Sequence, residues 1–221
     1  MNLSGYKVAV TGGSGGIGSA LITGLVDAGA TVYNLDRTAS ANNAVEYIEV
    51  DLTDEESVKL AFSKPAKLDA LIVCAGIQLV GKDSKIADLS LDTWQRTVDI
   101  NMTGAFLSVK YAMPALVNSG HGSVILIGSP TGMTMEGAGY TAYGASKAGM
   151  MGLSRIIAVD YKEQGIRSNV VVPGTMSTPL IQKIADDHDE ARGEHLRERR
   201  DVVGHPGDQA TRWISIIHAD R

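Results

Sequence analysis

The amino-acid sequence predicts an α/β fold, a three-layer doubly wound parallel sheet with helices on both faces. Three observations carry that prediction. Short apolar runs alternate with longer helical patterns along the chain. Several of these runs are apolar without alternation, as strands covered on both faces are. The first run feeds a glycine-rich turn that opens a helix, Thr11-Gly12-Gly13-Ser14-Gly15-Gly16-Ile17-Gly18. Repeated strand–helix–strand units imply right-handed crossovers and parallel strands.

Six strands are predicted in order, at 7–11, 31–35, 45–50, 68–73, 123–127 and 168–172. Helical patterns lie between them at 17–28, 54–62, 91–117 and 141–164, with a last one at 207–218. Asp54 followed by Glu55 and Glu56 marks a helix start, with acids near the positive end. Pro114 should kink or shorten its helix. The stretch 174–204 is irregular and charged, and follows the sixth strand. Ligands in a doubly wound sheet sit beyond the carboxyl ends of the strands, so 174–204 is a candidate substrate lid. The length of 221 residues suits one domain, 1–221, with the lid inside it.

Composition narrows the function classes. The net charge is −5, from 20 basic and 25 acidic residues, which argues against a nucleic-acid partner. Arg197, Arg199 and Arg200, interrupted by Glu198, read as a solvated helix face. Cys74 is the single cysteine and cannot form an internal disulfide, so a reducing compartment is expected. The apolar run Val8-Ala9-Val10 is too short for a signal peptide. No stretch approaches the ~18 apolar residues of a membrane span. The expectation is a soluble, cytoplasmic protein without a membrane partner. His188 and His195 stand among charges and read as surface, and no metal-ligand spacing occurs, so no metal is expected.

The glycine turn carries the first chemical signal. A diphosphate needs unpaired backbone N–H groups and close approach, and a helix start without side-chain bulk supplies both. Asp36 ends the second strand 18 residues after Gly18, where a carboxylate accepts hydrogen bonds from an adenosine ribose. The ordered set strand, turn, helix, strand and acid predicts dinucleotide binding through Gly12, Ser14, Gly16, Ile17, Gly18 and Asp36. Asp36 should repel a 2′-phosphate, favouring NAD over NADP, although Arg37 beside it softens the preference. The same glycines match G-x-S-x-G, the nucleophile elbow of hydrolases. Only eleven residues precede Gly12, leaving no earlier strand for an oxyanion loop.

Tyr143 and Lys147 stand four apart near the start of a predicted helix and share one face. Using a tyrosine as a base near neutral pH requires lowering its pKa by ~3 units, or ~4 kcal/mol. A cation ~4 Å away at an effective dielectric of ~20 supplies about that much. Tyr140 is followed four residues on by Gly144 and has no such partner.

At this point the chain resembles the short-chain dehydrogenases/reductases, from Leu3 to about Gly207. The glycine turn is similar to their cofactor loop, and Asp51-Leu52 to their adenine contact. Asn101, in Asp99-Ile100-Asn101-Met102-Thr103-Gly104, is similar to their active-site asparagine. Ser129, in Ile127-Gly128-Ser129, resembles the serine ending their fifth strand. Tyr143-Gly144-Ala145-Ser146-Lys147 resembles their signature motif. Pro173-Gly174-Thr175-Met176-Ser177-Thr178 resembles the segment that holds the nicotinamide carboxamide.

The resemblance implies a Rossmann fold and an oxidoreductase acting between NAD(H) and a secondary alcohol or ketone. Tyr143 would move the proton, Lys147 lower its pKa and bind the nicotinamide ribose, and Ser129 donate to the substrate oxygen. Asn101 would hold a water that relays protons from Lys147. Cofactor contacts would come from Ala75, Gly76, Pro173, Gly174, Met176 and Thr178 besides the residues above. The polar lid favours sugars, polyols, hydroxy acids or 3-oxoacyl compounds, and a homodimer or homotetramer is expected. The alternative is a non-catalytic dinucleotide-binding sensor or scaffold.

Two departures stand out. The family usually has asparagine where Val73-Cys74-Ala75-Gly76 has Cys74, which reads as a small buried filler. The family also continues into a seventh strand. Nothing after Trp213 is expected to supply it, which suggests a truncated C-terminus and an unpaired sheet edge.

Overall fold

A computed structural model describes residues 2–40, 42–133 and 138–174, and the backbone of residues 214–218. The predicted lid 174–204, beyond Gly174, lies outside the described residues, as do Met176, Thr178, His188, His195 and the arginine cluster 197–200. No helix among the described residues is long and apolar enough to cross a membrane.

Six parallel strands build the sheet: β1 (Lys7–Thr11), β2 (Thr31–Asp36), β3 (Glu46–Glu49), β4 (Ala70–Val73), β5 (Ser123–Ile127) and β6 (Arg167–Pro173). Their order is β3-β2-β1-β4-β5-β6, so the winding reverses between β1 and β4. That reversal opens a crevice beyond the strands' carboxyl ends. In β1 every residue after Lys7 is buried. Val8 and Val10 face one layer with Ile22, Val32 and Ile72. Ala9 faces the other with Leu35, Leu71, Val124 and Leu126. The period-2 alternation of β-carbons sends neighbours to opposite layers, and both layers are apolar.

Helices α1 (Gly16–Asp27), α2 (Glu55–Phe62), α3 (Leu91–Val98), α4 (Gly104–Val117) and α5 (Thr141–Asp160) cover the two faces. The Asp54 side chain accepts from the Glu56 amide at 3.1 Å, the N-cap that its acidic neighbours announced. The expected single helix 91–117 is two helices joined by a π turn at Asp99–Thr103. Its wider ring turns Asn101 inward, where the side chain is 0% exposed. Pro114 falls in the last turn of α4, and the helix runs only three residues past it, to Val117.

The C-terminal expectation is corrected. Residues 214–218 are not helical: Ile214–His218 forms β7, antiparallel to β6, with Val171 opposite Ile216. The chain therefore does supply a seventh strand, and the β6 edge is paired. The β-branched residues Ile214, Ile216 and Ile217 favour a pleated strand once such an edge is available.

Candidate active site

The crevice is a cleft of about 690 Å³. That lies within the ~300–1,000 Å³ typical of small-molecule sites. Its floor is the glycine turn: Gly12, Ser14, Gly16, Ile17 and Gly18 all line it. Gly12 has φ +69°, and a β-carbon there would stand 2.6 Å from the Ala75 Cα. A β-carbon on Gly18 would collide with the Gly12 carbonyl oxygen. Any side chain at either position would fill the cradle or break the packing of α1 against β1. Helix α1 starts with Gly15 at its N-cap, has no side-chain cap and carries no acid in its first turn. Its first N–H groups and its dipole therefore present a positive end to the cleft.

Asp36 lines the same cleft beside Arg37 and Thr38. Its Oδ2 accepts from the Ser14 amide at 3.0 Å and its Oδ1 from the Thr38 amide at 3.1 Å. The carboxylate is thus locked in orientation while lone pairs remain for hydroxyl donors. Asp51 and Leu52 form the far wall. The Thr53 hydroxyl and amide hold the Asp51 carboxyl below its usual range, with the Arg37 charge adding to them. Ala75 and Gly76 complete the wall from the end of β4. These residues fit a dinucleotide: a diphosphate cradle, an oriented ribose acceptor and an apolar slot.

The proton-handling groups adjoin this wall. Ser129 follows β5 and is 8% exposed; its Oγ accepts from the Thr131 amide at 3.3 Å, and it acts to lower the pKa of the Tyr143 phenol. Lys147 is 5% exposed and donates from Nζ to the Ile127 carbonyl at 2.8 Å. A β-carbon on Gly76 would lie 3.3 Å from that same Nζ, so the lysine abuts the cleft wall. The Tyr143 ring centroid is 5.8 Å from Nζ. Pro173 ends β6 and leads into Gly174.

Electrostatics correct one expectation. The phenol of Tyr143 is not acidified among the protein's own groups: burial pushes its pKa up, and the hydrogen bond from Ser129 only partly opposes this. Burial also pushes Lys147 down to about 8, with Cys74 opposing the shift. Cys74 lines the cleft, and burial pushes its thiol up to about 11, so it stays protonated and unreactive near neutrality.

The Asn101 side chain ties the cleft wall to α5. Its Oδ1 accepts from the Ile77 amide at 2.7 Å, and its Nδ2 donates to the Ile77 carbonyl at 2.9 Å and to Ser146 Oγ at 3.1 Å. Three of the four hydrogen bonds an amide side chain can make staple the cleft wall to α5. None of them is aimed at Lys147.

Two residues of the site have no sequence signal in the pattern above. Asn34, fully buried on β2, donates from Nδ2 to Ser14 Oγ at 3.0 Å, while its Oδ1 lies against Gly13 without a hydrogen-bond partner. A buried asparagine in an otherwise apolar strand was the available hint. Asp83 accepts from the amides of Ala142 and Tyr143, about 60 residues away. Nothing local announces that contact.

Fold and cleft together define a nicotinamide-dinucleotide oxidoreductase of the doubly wound class. The profile of the short chain dehydrogenase family matches residues 6–189, and the chain belongs to that family. It is 35% identical to 2,5-dichloro-2,5-cyclohexadiene-1,4-diol dehydrogenase of Sphingobium indicum, covering 84% of this chain and 78% of the relative. It is 34% identical to (3R)-3-hydroxyacyl-CoA dehydrogenase of Canis lupus familiaris, over 83% and 79% respectively. The ligand-free structure of Thermoplasma acidophilum aldohexose dehydrogenase superposes with a TM-score of 0.80 at 31% identity, covering 90% of this chain and 76% of that one.

Proposed function

We propose that the protein interconverts a secondary alcohol and its ketone with NAD(H), with Tyr143 as the acid–base group. The observation that carries this reading is the buried Lys147, which abuts the dinucleotide cleft and stands 5.8 Å from the ring centroid of Tyr143 on the same helix face. A nicotinamide dinucleotide, when bound, supplies the hydride chemistry. Gly12, Ser14, Gly16, Ile17 and Gly18 hold its diphosphate, Asp36 its adenosine ribose, and Asp51 and Leu52 its adenine. Ala75 and Gly76 flank its middle. Pro173, Gly174, Met176 and Thr178 hold the carboxamide end, on the family resemblance alone.

The Tyr143 hydroxyl takes the alcohol's proton in oxidation and returns one in reduction. Ser129 donates to the substrate oxygen, where negative charge grows. Lys147 hydrogen-bonds the nicotinamide ribose and biases Tyr143 towards the phenolate while it is charged. Asn101 holds the cleft wall and α5 together. NAD is preferred over NADP because the Asp36 carboxylate would repel a 2′-phosphate.

The substrates for which these relatives are named are a cyclic diol, a hydroxyacyl thioester and an aldohexose, all of them hydroxyl-bearing. They support a polar substrate of the sugar, polyol, hydroxy acid or 3-oxoacyl type. Action in the cytoplasm as a homodimer or homotetramer completes the reading, checked by fractionation and sedimentation.

The test follows reduced-cofactor absorbance with a panel of sugars, polyols, cyclic diols and 3-hydroxyacyl thioesters, each with NAD and NADP. Turnover with at least one alcohol and a preference for NAD is expected. NAD binding without turnover on any substrate would make the protein a sensor or scaffold instead. Tyr143→Phe should lower kcat roughly 10²–10⁴-fold with NAD affinity nearly unchanged. Full activity in that variant would refute the role of Tyr143.

A further inference from the structure

Helix α5 carries Tyr143 and Lys147, yet its own N-cap residue, Tyr140, makes no side-chain cap, and its first turn holds no acid. The second and third amides of a helix have no acceptor within it. Here both are claimed by one carboxylate from elsewhere. Asp83 Oδ1 accepts from the Ala142 amide at 3.1 Å and Oδ2 from the Tyr143 amide at 2.9 Å. Asp83 is 9% exposed, and its Oδ1 also accepts from the Ser84 amide at 3.0 Å. The Thr141 hydroxyl adds a bond to the Ser84 carbonyl at 2.7 Å. A carboxylate at this end of a helix is also favoured by the dipole.

The carboxylate sits on the segment that forms the cleft wall. Its own amide donates to the carbonyl of Leu79 at 2.8 Å, closing a turn, and Leu79 lines the cleft. Gly81 has φ +75° within that turn. On its other side the Tyr143 peptide is held too: Ser146 Oγ donates to the Tyr143 carbonyl at 2.7 Å, and Asn101 donates to Ser146. The Tyr143 peptide is thus pinned at its N–H by Asp83 and at its C=O through Ser146, with both restraints anchored in the stretch from Ile77 to Asp83.

We propose that Asp83 is a positioning residue: it caps α5 in trans and couples the cleft wall to the placement of the Tyr143 phenol. This rests on the reading of Tyr143 as the proton-transfer group. Through the turn from Leu79 to Asp83, a cofactor seated against the wall steadies the first turn of the catalytic helix. An asparagine at 83 keeps one acceptor oxygen but faces its NH2 towards the second amide. An alanine leaves both amides unmet.

The test compares wild type, Asp83→Asn and Asp83→Ala. Three quantities are measured: kcat per NAD-binding site, NAD affinity by fluorescence titration, and hydrogen exchange at the Ala142 and Tyr143 amides. A displacement on the order of 1 Å costs roughly 100-fold in rate. The alanine variant should therefore lose roughly 10- to 100-fold in kcat with NAD affinity within about twofold. The asparagine variant should fall between, and exchange at both amides should rise in the same order. An unchanged kcat per binding site, or a loss confined to NAD affinity, overturns the proposal. If the alanine variant does not fold, the asparagine variant decides by the same readouts. If wild type turns over no alcohol or ketone, the acid–base reading of Tyr143 fails separately. Exchange at the two amides then decides alone: no rise in the variants overturns the cap.

Discussion

Lys147 is the residue whose environment departs furthest from what its local sequence suggests. Its amine is buried against Ile127 and beside Cys74, and its pKa falls to about 8. The folded pKa lies below the unfolded one, so between about pH 8 and 10.5 the unfolded chain binds the extra proton. Folded stability attributable to this group must therefore rise with pH across that window. Below it, the buried cation costs on the order of 3 kcal/mol. Replacing Lys147 by Met should flatten this rise, so stability curves of wild type and variant converge as the pH climbs from 8 to 10. Denaturant titrations at stepped pH measure the gap, and parallel curves would contradict the buried-cation account. The acid–base pair thus carries a strain in the protein that a four-residue spacing cannot reveal.

At the scale of elements, the π turn at Asp99–Thr103 does the positioning. A continuous α-helix over 91–117 would carry Asn101 on a different azimuth, away from Ile77. The extra residue in the turn swings it into the gap between the cleft wall and α5. Asn101→Ala should leave both polar groups of the Ile77 backbone without their partner and should cost roughly 2–4 kcal/mol. The same change should weaken NAD binding, because Ile77 and Leu79 line the cleft. Urea unfolding and a cofactor titration on the variant check both effects. A variant as stable as wild type would mean that Ile77 finds other partners.

For the whole molecule, the sheet order gathers the cleft-lining residues beyond the carboxyl ends of β1 to β4, around the reversal between β1 and β4. Binding there bridges segments from β1, β2, β3 and β4, so ligand and fold are thermodynamically linked. At a concentration 100 times its Kd, NAD should stabilise the folded state by about 2.7 kcal/mol. That corresponds to a rise in Tm of roughly 5–10 °C for a domain of this size. NADP at the same concentration should give a smaller shift, because Asp36 lines the cleft and its carboxylate would repel a 2′-phosphate. A larger shift with NADP, read by thermal fluorescence, would reverse the cofactor assignment.

The six parallel strands, the glycine turn, the Asp54 cap and the Tyr143–Lys147 spacing were all legible in the sequence. Each depends on neighbours a few residues apart, where backbone sterics and periodicity act. The acidic end of β2 was legible for the same reason. Five features required the folded chain. The π turn was hidden because a one-residue widening leaves the helical pattern nearly intact. The β7 strand was mistaken for a helix because its conformation depends on the edge of β6. The Asp83 cap and the Asn101 staple join residues separated by long stretches of chain, which periodicity does not relate. The upward shift of the Tyr143 phenol, finally, is a burial effect, and burial is settled only when distant layers close over a side chain.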